Sequence, residues 1–349
     1  MSSIEAVSRQ PTDSHPAPDT TNALLQVDGL SIDFATAHGW ANVVNDVSFD
    51  IGQHEILGLV GESGSGKTVT GLSILGLVPM PPGRLAKGNV WFGQRDLLQL
   101  SERERRDIRG NDISMIFQEP MTSLNPAFTI GDQISETVRR HRGGSRHAAR
   151  RRAIEVLDLV GIPKAEKRVN DYPHEFSGGM RQRAMIAMAL SCEPKLLLAD
   201  EPTTALDVTI QAQILELLAS MRDEIGMSIL MITHDLGVVA EICDRVVVMY
   251  AGEVVERAPA PALFETPTMP YTEGLLSAMP QLGPAHGKLA SIPGHTPEPW
   301  NMPAGCRFHP RCPYGKPKCT ERPIELRSTG PEQRSRCIRS EEIELRGIK

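Results

Sequence analysis

The stretch EILGLVGESGSGKT, Glu55 to Thr68, decides the fold. Its first half is a continuous apolar run, the pattern of a strand buried on both faces of a parallel sheet. Its second half, GESGSGKT, fits G-x-x-x-x-G-K-[ST], a glycine-rich loop that opens a helix and cradles phosphate. Backbone N–H groups of Gly61, Ser63, Gly64, Ser65 and Gly66 can surround a β-phosphate, and the helix N-terminus adds positive potential. Lys67 can then reach the β- and γ-phosphates, and Thr68 can ligate Mg²⁺. The stretch predicts a nucleotide site.

Working outward, three further apolar runs read as core strands: ISMIFQ, KLLLADE and SILMITHD. Their carboxyl ends are where parallel sheets bind ligands. Asp200 ends the second run, placed for the Mg²⁺ shell, and Glu201 follows it, placed to orient and deprotonate a water. His234 ends the third within reach of a γ-phosphate, and Gln118 ends the first within reach of the metal or the attacking water. A solvated strand end or a packed histidine is the plain alternative; the P-loop upstream favours the catalytic one.

Nearer the N-terminus, LLQVDGLSIDF and VVNDVSFDI alternate apolar and polar residues, as half-buried antiparallel strands do. Helix is expected from Lys67 to about Val78 and through much of Met121 to Ser191, and RVVVMYAGEVVERA reads as a hairpin turning at Ala251-Gly252. The result is an α/β fold: a parallel core sheet, an antiparallel N-terminal sheet and an inserted helical subdomain. The basic run Arg139 to Arg152 reads as a solvated helix end and loop. One stretch, HEFSGGMRQRAMIAMAL (His174 to Leu190), is left over. Its Ser177, Gly178 and Gly179 look like a second anion-binding helix start.

The chain has 349 residues, a net charge of −6 and a pI near 6.0, which disfavours a nucleic-acid partner. No run of eighteen apolar residues occurs, and residues 1–22, rich in Ser, Thr, Pro and Asp, read as a disordered tail rather than a signal peptide. The protein is therefore expected to be cytosolic or peripheral on a membrane's cytosolic face. Residues 23–258 form the main domain; from 259 to 349 proline becomes frequent and periodicity fades. Cys192 and Cys243 lie in apolar surroundings as buried thiols. Cys306, Cys312, Cys319 and Cys337 crowd into the last part of the chain, which in a reducing compartment argues for a metal over disulfides. Four thiolates suit Zn²⁺ or an iron–sulfur cluster; four unligated thiols in a mobile tail are the plain alternative.

The ordered set GESGSGKT, FQEP, FSGGMRQR, LLLADEPTTALD and MITHD resembles the ATP-binding subunits of ABC transporters, over residues 24 to 258. The resemblance implies a P-loop NTPase of the ABC ATPase type, in which two subunits pair head to tail around ATP. The leftover stretch is then the signature motif, and Ser177, Gly178 and Gly179 serve ATP held by the partner. Lys67 and Thr68 bind phosphate and metal, Gln118 couples the site to the permease, and Asp200 binds Mg²⁺. Glu201 is the catalytic base, His234 the switch histidine, and Asp207 communicates across the dimer. The family also stacks adenine on an N-terminal aromatic residue, here Trp40, with His38 or Phe34 as alternatives.

MIFQEPMTSLNPAFTIGDQI and THDLGVVAEICDRVVVMYAGEVVE narrow the resemblance to the dipeptide/oligopeptide importer ATPases, with nickel, glutathione and opine importers close by. That branch implies a second homologous ATPase subunit, two transmembrane permeases and a periplasmic or extracellular solute-binding protein. It also implies a [4Fe–4S] cluster at the four clustered cysteines. A soluble ABC ATPase of translation or DNA repair is the alternative class; those chains carry two cassettes or a long coiled-coil insertion, and neither occurs in this sequence.

Overall fold

Alternating apolar residues fold the start of the chain into an antiparallel pair, β1 (Ala23–Thr36) and β2 (Gly39–Gly52), with Val27 opposite Phe49 and Ile32 opposite Val44. This is seen in a computed structural model that describes residues 23–118, 123–204, 207–279 and 291–348. The expected N-terminal tail, 1–22, lies outside the described residues. β3 (Ile56–Val60) is buried throughout and leads through the P-loop into α1 (Lys67–Ile74). The helix is shorter than expected because Gly76, at φ 61°, takes the left-handed conformation before Val78 is reached. β4 (Gly83–Phe92) and β5 (Arg95–Asp96) complete a sheet of order β2-β1-β4-β5.

α2 (Glu102–Ile108) starts in a capping box between Ser101 and Glu104, and β6 (Ile113–Ile116) follows. The helical subdomain holds α3 (Ile130–His141), α4 (Arg146–Leu159), α5 (Ala165–Arg168) and α6 (Gly178–Leu190). The basic run spans the end of α3 and the start of α4; Arg140 meets Asp107, and Arg152 meets Glu193. Then come β7 (Leu196–Asp200), α7 (Val208–Ile225), β8 (Ser228–Thr233), α8 (Leu236–Ile242), β9 (Arg245–Tyr250) and β10 (Glu253–Pro259). The rest of the chain adds α9 (Ala260–Glu265), α10 (Pro270–Ser277), β11 (Arg327–Gly330) and β12 (Gln333–Ser335).

The larger sheet has the order β11-β12-β10-β9-β3-β8-β7-β6, and β9, β3, β8, β7 and β6 run parallel. Its strands face apolar layers on both sides, which explains their unbroken apolar runs. Leu57, Leu59, Leu198, Leu230 and Val247 face the antiparallel sheet, whereas Ile56, Leu197, Ile229, Met231 and Val248 face the helices. Among the described residues, no helix is long and apolar enough to cross a membrane.

The C-terminal extension is built into this frame. β12 pairs with β10, and an aromatic cluster joins Tyr250 of β9 to Tyr271 of α10 and to Phe308, with ring centroids 4.6 to 5.3 Å apart. All three rings are buried. Phe308→Ala is expected to cost about 3–5 kcal/mol, because a cavity then opens where the extension meets the core. A urea titration followed by tryptophan emission (Trp300 lies in the extension) checks this.

Candidate functional site

The P-loop leaves the end of β3 with Gly61 pressed against the core: a Cβ there would sit 2.1 Å from the Met249 carbonyl oxygen, so only glycine fits. Its far side rests on the β9–β10 turn, where Ala251 and Gly252 both have positive φ, as a two-residue hairpin turn needs. The Gly252 N–H donates to Ser65 O at 3.0 Å. Lys67 folds back over the loop, its Nζ donating to Gly61 O at 2.7 Å, Glu62 O at 3.0 Å and Ser65 Oγ at 3.4 Å. Burial lowers the Lys67 pKa, against the opposing pull of Glu201, Asp200 and Glu62.

Thr68 Oγ1 donates to Asp200 Oδ1 at 3.3 Å, across the gap between α1 and the end of β7. Asp200 is 2 % exposed, and burial raises its pKa to about 6, Thr68's hydrogen bond pulling the other way. The next residue, Glu201, has a left-handed φ of 47° and sends its N–H to Ile232 O at 2.8 Å. That backbone strain sets where its carboxylate stands. Gln118 Nε2 and Thr204 Oγ1 donate to one oxygen at 2.9 and 2.8 Å, and His234 Nδ1 meets the other at 2.8 Å. An ionised carboxylate only accepts, so Nδ1 carries the proton of that bond. Burial works to raise the Glu201 pKa, but the hydrogen bonds from His234 and Thr204 bring it below its ordinary value.

The structure thus brings Gly61, Ser63, Gly64, Ser65, Gly66, Lys67, Thr68, Gln118, Asp200, Glu201 and His234 to one end of the parallel sheet. Gln118 contacts Glu201 rather than Asp200. Thr204, which the sequence reading did not single out, is the third group on Glu201; the repeated threonine of DEPTT is its only local signal. Ser177 caps α6 by accepting from Met180 N at 3.4 Å. Ser177 and Gly178 are exposed, and among the described residues no hydrogen bond joins them to the P-loop. Asp207 caps α7 by accepting from Ile210 N, and Ile210 packs on Gly179, so the two turns are neighbours. Buried Gln182 ties α6 to Pro202 O, two residues past Asp200. Trp40 is 51 % exposed with the Arg84 guanidinium 3.9 Å from its ring centroid; His38 stacks on Trp300 at 5.2 Å, and Phe34 packs on the core.

The iron–sulfur expectation is corrected. Among the described residues, no group of three or more His, Cys, Asp or Glu side chains is placed to hold a metal ion, so a [4Fe–4S] cluster at Cys306, Cys312, Cys319 and Cys337 is not supported. The four are free thiols around one cavity of about 20 Å³, room for about one water, shared with Phe308, Ile324 and Ile343. Ligation needs thiolates, and burial opposes them, pushing Cys306 up to about 12 and Cys337 up to about 11. Cys306 and Cys337, so held as thiols, pack as small apolar groups. Cys192 and Cys243 are buried free thiols.

Comparison with known proteins agrees with this geometry. The family model for ABC transporters matches residues 44–204, and that for the oligopeptide/dipeptide transporter C-terminal region matches residues 255–319. The dipeptide transport ATP-binding protein DppD of Escherichia coli is 48% identical over 315 residues, 90% of this chain and 96% of that one. A putative peptide import ATP-binding protein of Brucella abortus is 52% identical over 317 residues, 91% and 95% of the two chains. Among solved structures, the dimeric post-hydrolysis state of the ATP-binding cassette MJ0796, bound to ADP and Pi, superposes with a TM-score of 0.61 at 27% identity. That match covers 68% of this chain and 98% of the other.

Proposed function

As the chain belongs to the ATP-binding subunits of ABC transporters, in their dipeptide/oligopeptide branch, we propose that its ATPase activity energises peptide import from the cytoplasmic face of a membrane. The observation that carries this reading is Glu201, a carboxylate held by Gln118, Thr204 and His234 next to a complete P-loop.

ATP binding lets Lys67 exchange the carbonyls of Gly61 and Glu62 for β- and γ-phosphate oxygens. Thr68 and Asp200 fit a divalent cation: a hydroxyl and a buried carboxylate side by side at the mouth of the P-loop. Held by these two side chains, Mg²⁺ would supply screening of the charge on the transferring phosphoryl group. Glu201 orients the attacking water and takes its proton, with His234 and Gln118 fixing the carboxylate's direction. Ser177 and Gly178, exposed at the start of α6, meet ATP on a second ATPase subunit together with Gly179, and Asp207 beside them carries contact across the pair. Trp40 stands as the adenine-stacking residue.

Phe117, next to Gln118 in the chain, and Phe128, ten residues on, are both exposed and offer apolar contact to the permeases, so that Gln118 links their movement to the site. Two permeases and a solute-binding protein complete the importer. Tagged protein taken from gently solubilised membranes is expected to bring these partners and a second ATPase, and cells lacking the chain to lose uptake of a labelled dipeptide. Ribosomal or DNA-bound partners with no permease would overturn the reading.

A further inference from the structure

Glu62, the second residue of the P-loop, is held from behind by the C-terminal extension. Arg311, whose side chain is 6% exposed, pairs with both carboxylate oxygens: Nη1 lies 2.6 Å from Oε2 and Nη2 3.0 Å from Oε1. Its other contacts keep the guanidinium in place: Nε donates to Pro293 O at 2.9 Å, Nη2 to Ile292 O at 3.2 Å, and Nη1 reaches the Tyr250 hydroxyl at 3.4 Å. Two more extension residues take hold of Glu62. Its backbone N–H donates to the Tyr271 hydroxyl at 2.8 Å, and Thr296 Oγ1 donates to Oε2 at 3.4 Å.

The charge matters more than the tether. Glu62 sits next to Gly61 inside the loop that receives a triphosphate, and Lys67 already bonds its carbonyl oxygen. Its carboxylate is among those whose field acts on Lys67. Unpaired, it would repel the incoming phosphates and compete with them for Lys67; a bidentate arginine cancels that charge where a lone ammonium would only soften it. We propose that Arg311 is a positioning residue for ATP hydrolysis, which neutralises Glu62 and keeps its carboxylate against the extension, so that the extension sets the affinity of the P-loop for ATP.

The test uses the full-length chain, with ATP titrated calorimetrically in Mg²⁺ and KM and kcat measured beside it. Arg311→Met is expected to weaken ATP binding and raise KM about tenfold, with kcat at saturating ATP within about twofold, since Glu201 is untouched. Adding Glu62→Gln removes the stray charge, so the double variant returns to within about threefold of the native Kd. A purely mechanical tether would leave the double variant as weak as the single one. Wild-type affinity in Arg311→Met, or a double variant that stays about tenfold weak, overturns the proposal. If Arg311→Met does not fold by thermal melting, the double variant decides alone: within about threefold supports the proposal, about tenfold weaker overturns it.

Discussion

Glu201→Gln is expected to lower ATP turnover by about 10²- to 10⁴-fold while leaving ATP binding intact. The amide keeps the length and shape of the carboxylate but cannot take a proton from water. One oxygen remains to accept from His234 Nδ1, and Gln118 can turn its own amide to meet the new N–H₂. Lys67 and Thr68, proposed above for the phosphates and Mg²⁺, are unchanged. The variant should therefore accumulate as closed, ATP-bound dimers, visible as an ATP-dependent shift in size-exclusion chromatography, with phosphate release near background. Hydrolysis near the native rate would assign the base to another residue.

Lys67→Ala is expected to act a step earlier, on binding. In the native loop this cation occupies Gly61 O, Glu62 O and Ser65 Oγ, and it stands amid Asp200, Glu201 and Glu62. Removing it strips the triphosphate of its nearest counter-charge and leaves Asp200 and Glu201 facing the phosphates. Charge-assisted hydrogen bonds of this kind are worth about 1.5–3 kcal/mol each, so ATP affinity should fall about 10²-fold or more. Titration of the purified variant reads this directly. A Kd within about threefold of native would mean that the loop's backbone N–H groups suffice.

The sequence shows those parts of the molecule whose physics is local. Leu25 and Val27, and past a break in register Leu30 and Ile32, step by two into a buried face, Ile56 to Val60 fill a strand with neighbours on both sides, and Gly61 and Lys67 stand where a phosphate loop must put them. β4 escapes such a reading because Arg84, Lys87, Gly88 and Asn89 break any alternation. β11 and β12 escape it because RSTG and QRS are too short to show a period, and their place in the sheet depends on β10. Site contacts follow the same division. Asp200 and His234 are legible as polar residues ending apolar strands, whereas Arg311 and Glu62 meet across 249 positions with no pattern between them. Cysteine clustering also misled: four cysteines crowded in the sequence argued for a metal and the resemblance for a cluster, but they line a small hollow with Phe308, Ile324 and Ile343, and among the described residues no group is placed to hold a metal ion.

The place of β12 in the sheet also has a bearing on how the protein is made. Synthesis runs from the N-terminus, so every residue from Gly61 to His234 has left the ribosome well before Gln333–Ser335, which pair with Glu256 and Arg257. Arg336, just beyond, bonds Val255 O and closes the same edge. A chain that stops in between has those residues but lacks the strand that covers β10. Open edges recruit other chains. A chain that stops short of β12 thus exposes the β10 edge that Gln333–Ser335 otherwise cover.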